Sequence, residues 1–350
     1  MQQYTMTRAG RTWHFVAGLA NDSVMVGVRY PNSVAIAPDG HIFVLSRGMP
    51  TANPDDLGDG GKIGKWRLDG TRVGDYARNE FTWPVGIAVA ADGNVFCSDE
   101  HDNFVKAFPP DGPFRPFPEF DPEGEYSFKW GEPGTADGQL NSPSGLAFDR
   151  HDDLLVVDSR NNRVQKFTKD GVHLASWGSG GAGEGEFERP WGICVDGDGF
   201  VYVADWGNDR VQKFTEDGEY VMSFGSHPDS GGDLKHPSDV AVDSDGDVYV
   251  TDWGTKRVQI YEPDGEIIGA LHGNATDPYD RLVKDIFTLT DDTRKADARI
   301  YDAGSQLGRF DRPIGIAIDG EDRIYVAESR RCRVQVYAKD MAYLDAPPDA

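Results

Sequence analysis

PWGICVDGDGFVYVADWGNDRVQKFTEDGEYVMSFG, residues 190–225, decides the fold. Pro190 opens a short apolar run that stops at an Asp-Gly pair, and VYVAD then gives a second short strand-like run ending in an acid. A polar loop follows, then RVQKF, a second Asp-Gly pair and the closing run YVMSFG. Runs of five or six residues broken by Asp-Gly predict four short antiparallel strands in one sheet. The opening phrase recurs six times, at Pro31, Pro84, Pro143, Pro190, Pro237 and Pro313, with spacings of 53, 59, 47, 47 and 76 residues. A four-stranded unit repeated at such spacing is the signature of a β-propeller blade. A lone blade leaves both faces bare, so six satisfy one another only by closing into a ring. The expectation is therefore an all-β, six-bladed β-propeller forming a single domain over residues 1–350.

The sixth repeat ends after RVQVYAKD at residue 340 without an outer strand, whereas HFVAGL at residues 14–19 reads like the outer strands of the other blades. We expect the N-terminal segment to supply the missing strand, since an unpaired blade edge would otherwise stay open. Insertions interrupt the pattern at residues 47–62, 109–125 and 273–312, the last with an apolar spacing that predicts one short helix over residues 277–289. Cys97, Cys194 and Cys332 are far apart and read as free thiols buried in strands.

With 59 acidic and 35 basic residues the net charge is −24, which opposes binding to phosphate backbones and anionic membranes. A 38% hydrophobic content with 11% aromatics can still build a large core. No run approaches the roughly 20 apolar residues of a membrane span, and MQQYTMTRAGRTWHF lacks the apolar core of a secretory signal. A cytoplasmic location is expected.

The phrase Pro-x-Gly-Ile-Ala-x-Asp, followed by VYVADWGNDRVQKF, Asp-Gly and a Phe-Gly or Trp-Gly ending, resembles the NHL repeat over nearly the whole chain. FVLSRG at 43–48 and WPVGIAVAADGNVFCSD at 83–99 are similar to the peptidyl-hydroxyglycine amidating lyases of that superfamily. That resemblance implies zinc held by histidines between the Pro and the Gly, but Asn32, Val85, Ser144, Trp191, Ser238 and Ile314 stand there. It also matches Arg47 to a family arginine. NHL propellers further serve as protein or RNA platforms, so a non-catalytic protein-binding module is the alternative function, with RNA disfavoured by charge.

Strand order puts the connections between repeats and the loops between second and third strands on one face, called the top. Asp158, Asp205, Asp252 and Glu328 end second strands, and Arg163, Arg210, Arg257 and Arg333 follow five residues later, which reads as a repeated scaffold ion pair. Blade one has Ser46 in place of the acid and blade two has Phe104 in place of the base, and departures from a repeated rule are where function is expected. The residues after these acids predict a crown around the channel mouth. In it Arg47, Arg160 and Arg330 would bind a small organic anion, His101 and Glu100 would move protons, and Trp191, Trp206 and Trp253 would form a wall. The function this predicts is a lyase or hydrolase. One divalent ion is a further expectation, either Zn-like and drawn from His101, His236, His272 and Asp239, or Ca²⁺ held by acidic loops such as residues 53–61.

Overall fold

The computed structural model describes residues 5–8, 11–19, 30–48, 61–77, 80–110, 128–225, 233–273, 310–330 and 332–340. The predicted helix and almost all of the three insertions lie outside these residues. Blade four shows how the quoted stretch folds. Its strands run Pro190–Val195, Val201–Asp205, Arg210–Phe214 and Tyr220–Phe224, each antiparallel to the next from the axis outward. The first hairpin turns at Gly199, whose φ of 92° is natural for glycine. In blade three Asp152 takes the same left-handed role at φ 63°, a conformation that aspartate tolerates better than most residues.

Blades two, three and five repeat this four-stranded order, as does blade one. The six inner strands, starting at Pro31, Pro84, Pro143, Pro190, Pro237 and Pro313, each lie beside the next, and that of blade six returns to that of blade one. The apolar side chains fill six separate cores, one between each pair of neighbouring blades. Burial of this kind, rather than any single central core, is what each twisted sheet gains from its neighbours.

Closure occurs as expected. Arg11–Leu19 pairs antiparallel with Arg333–Asp340, setting Leu19 opposite Val334 and Phe15 opposite Tyr337. Trp13 on this strand is buried between blades five and six, and its indole N–H donates to the Tyr249 hydroxyl at 3.0 Å. Arg11 reaches Asp247 at 2.8 Å, and Lys339 gathers Asp243, Asp245 and Asp247 at 2.7, 2.8 and 2.7 Å, so both closing strands are tied to a turn of blade five. A feature not anticipated is a further strand, Thr5–Arg8, that adds a fifth rung outside Arg11–Leu19.

The repeated acids are scaffold. Asp158 and Asp205 hold Arg163 and Arg210 at 2.8 and 2.9 Å, and Glu328 holds Arg333 at 2.5 Å. Asp252 and Arg257 are looser, at 4.0 Å. Each acid also accepts a backbone N–H from the segment leading into its own blade, as Asp205 does from Glu188 at 2.7 Å. The cysteines are free thiols, but only Cys97 is fully buried in a strand core. Cys194 lies in an inner strand facing the channel, and Cys332 is not in a strand at all. It occupies, with φ 51°, the left-handed turn position filled by Asn103, Asn162, Asp209 and Lys256 in other blades.

Candidate functional site at the channel mouth

The inner strands approach so closely near their first residues that a Cβ on Gly192 would lie 2.6 Å from the Ser238 carbonyl oxygen. Side chains stitch this neck together. Asn32 donates to the Pro84 carbonyl at 2.9 Å, Ser98 to that of Ser144 at 2.6 Å, Ser144 to that of Trp191 at 2.8 Å and Ser238 to that of Pro313 at 3.1 Å. Three of the positions where the amidating lyase resemblance would need histidine are thus structural bridges here.

Above the neck, blade two departs from its neighbours as the sequence indicates. With Phe104 in place of the arginine, the buried Asp99 carboxylate accepts four backbone N–H groups instead, from Thr82, Trp83, His101 and Asp102 at 2.7, 3.0, 3.0 and 3.1 Å. Those bonds fix the loop that carries His101. His101 Nδ1 lies 2.8 Å from Asp102 Oδ1, and Asp102 Oδ2 accepts the Thr82 hydroxyl at 2.7 Å. Partial burial would raise the Asp102 carboxyl, but the hydrogen bonds from Thr82 and His101 outweigh it and hold the group below the usual carboxylate range. An anionic Asp102 stabilises the Nδ1–H tautomer, which leaves Nε2 as a proton acceptor on a ring 54% exposed at the mouth.

Arg47 completes this corner. Its guanidinium pairs with Glu100 and lies over the exposed Trp83 ring, 5.0 Å from the centroid, while His101 meets the same ring edge-on at 5.4 Å. Glu100 is therefore committed to orienting Arg47. Arg160 is exposed, with no ion pair among the described residues, and Arg330 is exposed with Asp311 3.9 Å away.

Across the mouth, Trp206 has Trp191 at 5.6 Å, Trp253 at 5.3 Å and a stacked His236 at 5.0 Å, and Arg312 covers Trp253 at 5.3 Å. The three tryptophans expected to form a wall are brought together there in one aromatic cluster with His236. The expected metal ligands are not gathered. His236 stacks on Trp206, His101 is engaged with Asp102, His272 sits on the connection after blade five, and Asp239 lies below the rim in the channel wall. Among the described residues no three His, Cys, Asp or Glu side chains form a metal-binding group.

Trp83, Asp102 and Arg312 were not singled out from sequence. A rule could have found two of them. The residue after the second strand of one blade stacks with the residue before the next blade's inner proline, giving Arg47 with Trp83, Trp206 with His236 and Trp253 with Arg312. His236 and Arg312 hold left-handed backbone, φ 54° and 59°, at those positions.

The NHL repeat pattern matches residues 140–167, 187–214, 234–261 and 310–337, which are parts of blades three to six. No curated protein matches the chain in sequence. Among solved structures, a streptogramin B lyase superposes with a TM-score of 0.56 at 13% identity, covering 94% of this chain and 98% of that one. A catalytically inactive virginiamycin B lyase from Staphylococcus aureus with quinupristin gives 0.53 at 15%, covering 96% and 98%. A gluconolactonase from Xanthomonas campestris gives 0.56 at 14%, covering 97% and 95%. Likeness at such identity concerns the fold, and with the repeats it defines the architecture: the chain is a six-bladed β-propeller in which parts of blades three to six match the NHL repeat.

Proposed function

We propose that this propeller is an enzyme, a lyase or hydrolase that acts on a small organic anion at the top mouth of its channel. The observation that carries the reading is the chain from Thr82 through Asp102 to His101, which holds an imidazole by its Nδ1 beside an arginine stacked on an exposed tryptophan. Arg47, kept in place by Glu100, and Arg160 bind the anionic group, and their charges concentrate anions locally despite the net −24. His101 Nε2 takes a proton, either from a carbon next to the anionic group in an elimination or from an attacking water in a hydrolysis. The imidazolium is stabilised by Asp102 and returns the proton to the leaving group. The rings of Trp191, Trp206 and Trp253 support the apolar part of the substrate.

Lyase and gluconolactonase descriptions among the structural neighbours make an enzyme reasonable, and the site supplies the rest. The test is turnover of small carboxylates carrying an ester, a lactone or a β-leaving group, with gluconolactone as an uncharged comparison. We expect an anionic compound to be turned over, His101→Gln to lower kcat about a hundredfold or more, and Arg47→Ala to raise KM. Full turnover by both variants, or a stoichiometric macromolecular partner recovered in place of any turnover, would overturn the reading.

A further inference from the structure

We propose that the axial channel below the mouth is a separate binding site for a small primary alkylammonium, with Asp239 as its counter-ion and the small side chains of the inner strands around its carbons. The inference does not depend on the activity assigned to the mouth. The channel encloses about 280 Å³ between the inner strands of all six blades. At roughly 30 Å³ for each liquid water, this equals the room of about nine waters. Its wall combines polar strand backbone with small side chains, among them Ala35, Ala88, Ala147, Ala241 and Ala317 at equivalent positions in five blades and Cys194 in the sixth. Burial, and next the charge of Asp239, push the Cys194 thiol well up, so it stays neutral.

Among the described residues Asp239 is the one carboxylate in this wall. It occupies the position of Gly86, Gly145, Gly192 and Gly315 in four blades and of Ser33 in the remaining one, so the fold itself makes no demand for an acid there. The space it fills is left by Gly192, on which a Cβ would come 2.3 Å from Asp239 Oδ1. Oδ1 accepts the Val240 N–H at 3.0 Å and Oδ2 the Ile316 N–H at 3.0 Å. Each oxygen keeps a further lone pair, and no Lys, Arg or His forms an ion pair with it among the described residues. A carboxylate with no charged partner in a narrow channel carries a desolvation cost that a bound cation relieves. Consistent with that cost, burial pushes its carboxyl up to about 7 against the two backbone hydrogen bonds.

The shape of the site selects the kind of cation. A divalent ion requires about six to eight oxygen ligands, whereas the neck carbonyls of Pro84, Ser144, Trp191 and Pro313 already accept side-chain donors. An alkylammonium requires one carboxylate for its N–H groups and small aliphatic side chains beside its carbons, and both are present. Its entry from the top passes the rim, about 7–10 Å above Asp239 by the 3.3 Å rise of a strand.

The experiment is a calorimetric titration of the full chain with n-butylammonium chloride, 1-butanol and calcium chloride, each alone. Saturable binding of n-butylammonium, at least tenfold weaker binding of 1-butanol, and a tenfold or greater loss with Asp239→Asn are expected. Asp239→Ser, which copies Ser33 of blade one, should lose the same factor and guards against an Asn-specific effect. His101→Gln should leave the affinity unchanged, which separates this site from the mouth. No saturable binding of the amine, equal affinity for the alcohol, unaltered affinity in both Asp239 variants, or calcium binding lost in those variants without amine binding would each overturn the proposal.

Discussion

Replacing Trp13 by alanine tests whether the N-terminal strand is a structural member of the ring. The indole is 1% exposed and packs among Tyr249, Ile260, Phe310 and Tyr337 at the interface of blades five and six, so its loss removes burial and leaves a cavity between two sheets. Truncation of a buried tryptophan costs about 3–5 kcal/mol. The bond to the Tyr249 hydroxyl adds about 0.5–1.5 kcal/mol, although that hydroxyl still donates to Asp243 at 2.8 Å. Taking about 4 kcal/mol, and an unfolding entropy of about 0.7 kcal/mol/K for a chain of this length, thermal denaturation should shift down by about 5–6 °C. Trp13→Phe keeps most of the apolar area and should cost about a third of that. Val16→Ala, on the same strand but 46% exposed, should shift the midpoint by less than about 1 °C. The assay is differential scanning calorimetry of the three variants beside the parent chain. A Trp13→Ala midpoint within 1 °C of the parent would show that the strand does not hold the ring, and the closure argument would be wrong.

Two further expectations concern buried carboxylates. Asp239 has a folded-state value of about 7, above the roughly 3.9 of an unfolded aspartate. The folded chain therefore keeps a proton that the unfolded chain releases, and this group lowers stability as pH rises from about 4 to 7. At about 1.4 kcal/mol per unit, the loss reaches at most about 4 kcal/mol. Asp239→Asn removes it, so urea unfolding should find the variant about 2–4 kcal/mol more stable at pH 8 and equal to the parent near pH 3.5, and identical pH profiles would refute this. Asp205→Ala strands Arg210, Asn208 and the Glu188 N–H, all of which the carboxylate binds at 2.7–2.9 Å, and should cost about 3–5 kcal/mol in urea unfolding. A cost below about 1 kcal/mol would mean that the repeated acids are dispensable to the scaffold.

The ring was legible because each blade states its own strands locally. Pro190 to Gly225 needs no distant information to be read as a sheet, and the likeness of HFVAGL to outer strands was enough to predict the closure. Residues 5–8 were not legible as a strand, since TMTR carries no alternation and pairs only because Arg11–Arg8 form a hairpin. The site was legible where it broke the repeat. Phe104 in place of arginine pointed to the His101 loop, and the four N–H bonds to Asp99 are the physical result. What stayed hidden were contacts across blades. Trp83 and Arg312 matter through residues 36 and 59 positions before them, Arg47 and Trp253, and no local pattern encodes which residue of one blade abuts the next. Asp239 was recognised as out of place among glycines, but only the geometry of the neck sets it inside the channel.

The pairing at blade six also determines how the ring responds to tension. Thr12 lies opposite Asp340 and Leu19 opposite Val334, so the outward-leading ends of the two closing strands emerge side by side. A pull on the two chain ends meets the hydrogen-bonded rungs one at a time, in the manner of a zipper, and never loads them together in shear. The Thr5–Arg8 strand peels away first, beginning at Thr5 opposite His14, and the Thr12 rung to Asp340 follows. The molecule is thus held against heat by six shared cores, whereas a pull on its ends acts first on the blade-six seam and on the contacts that tie it to blade five.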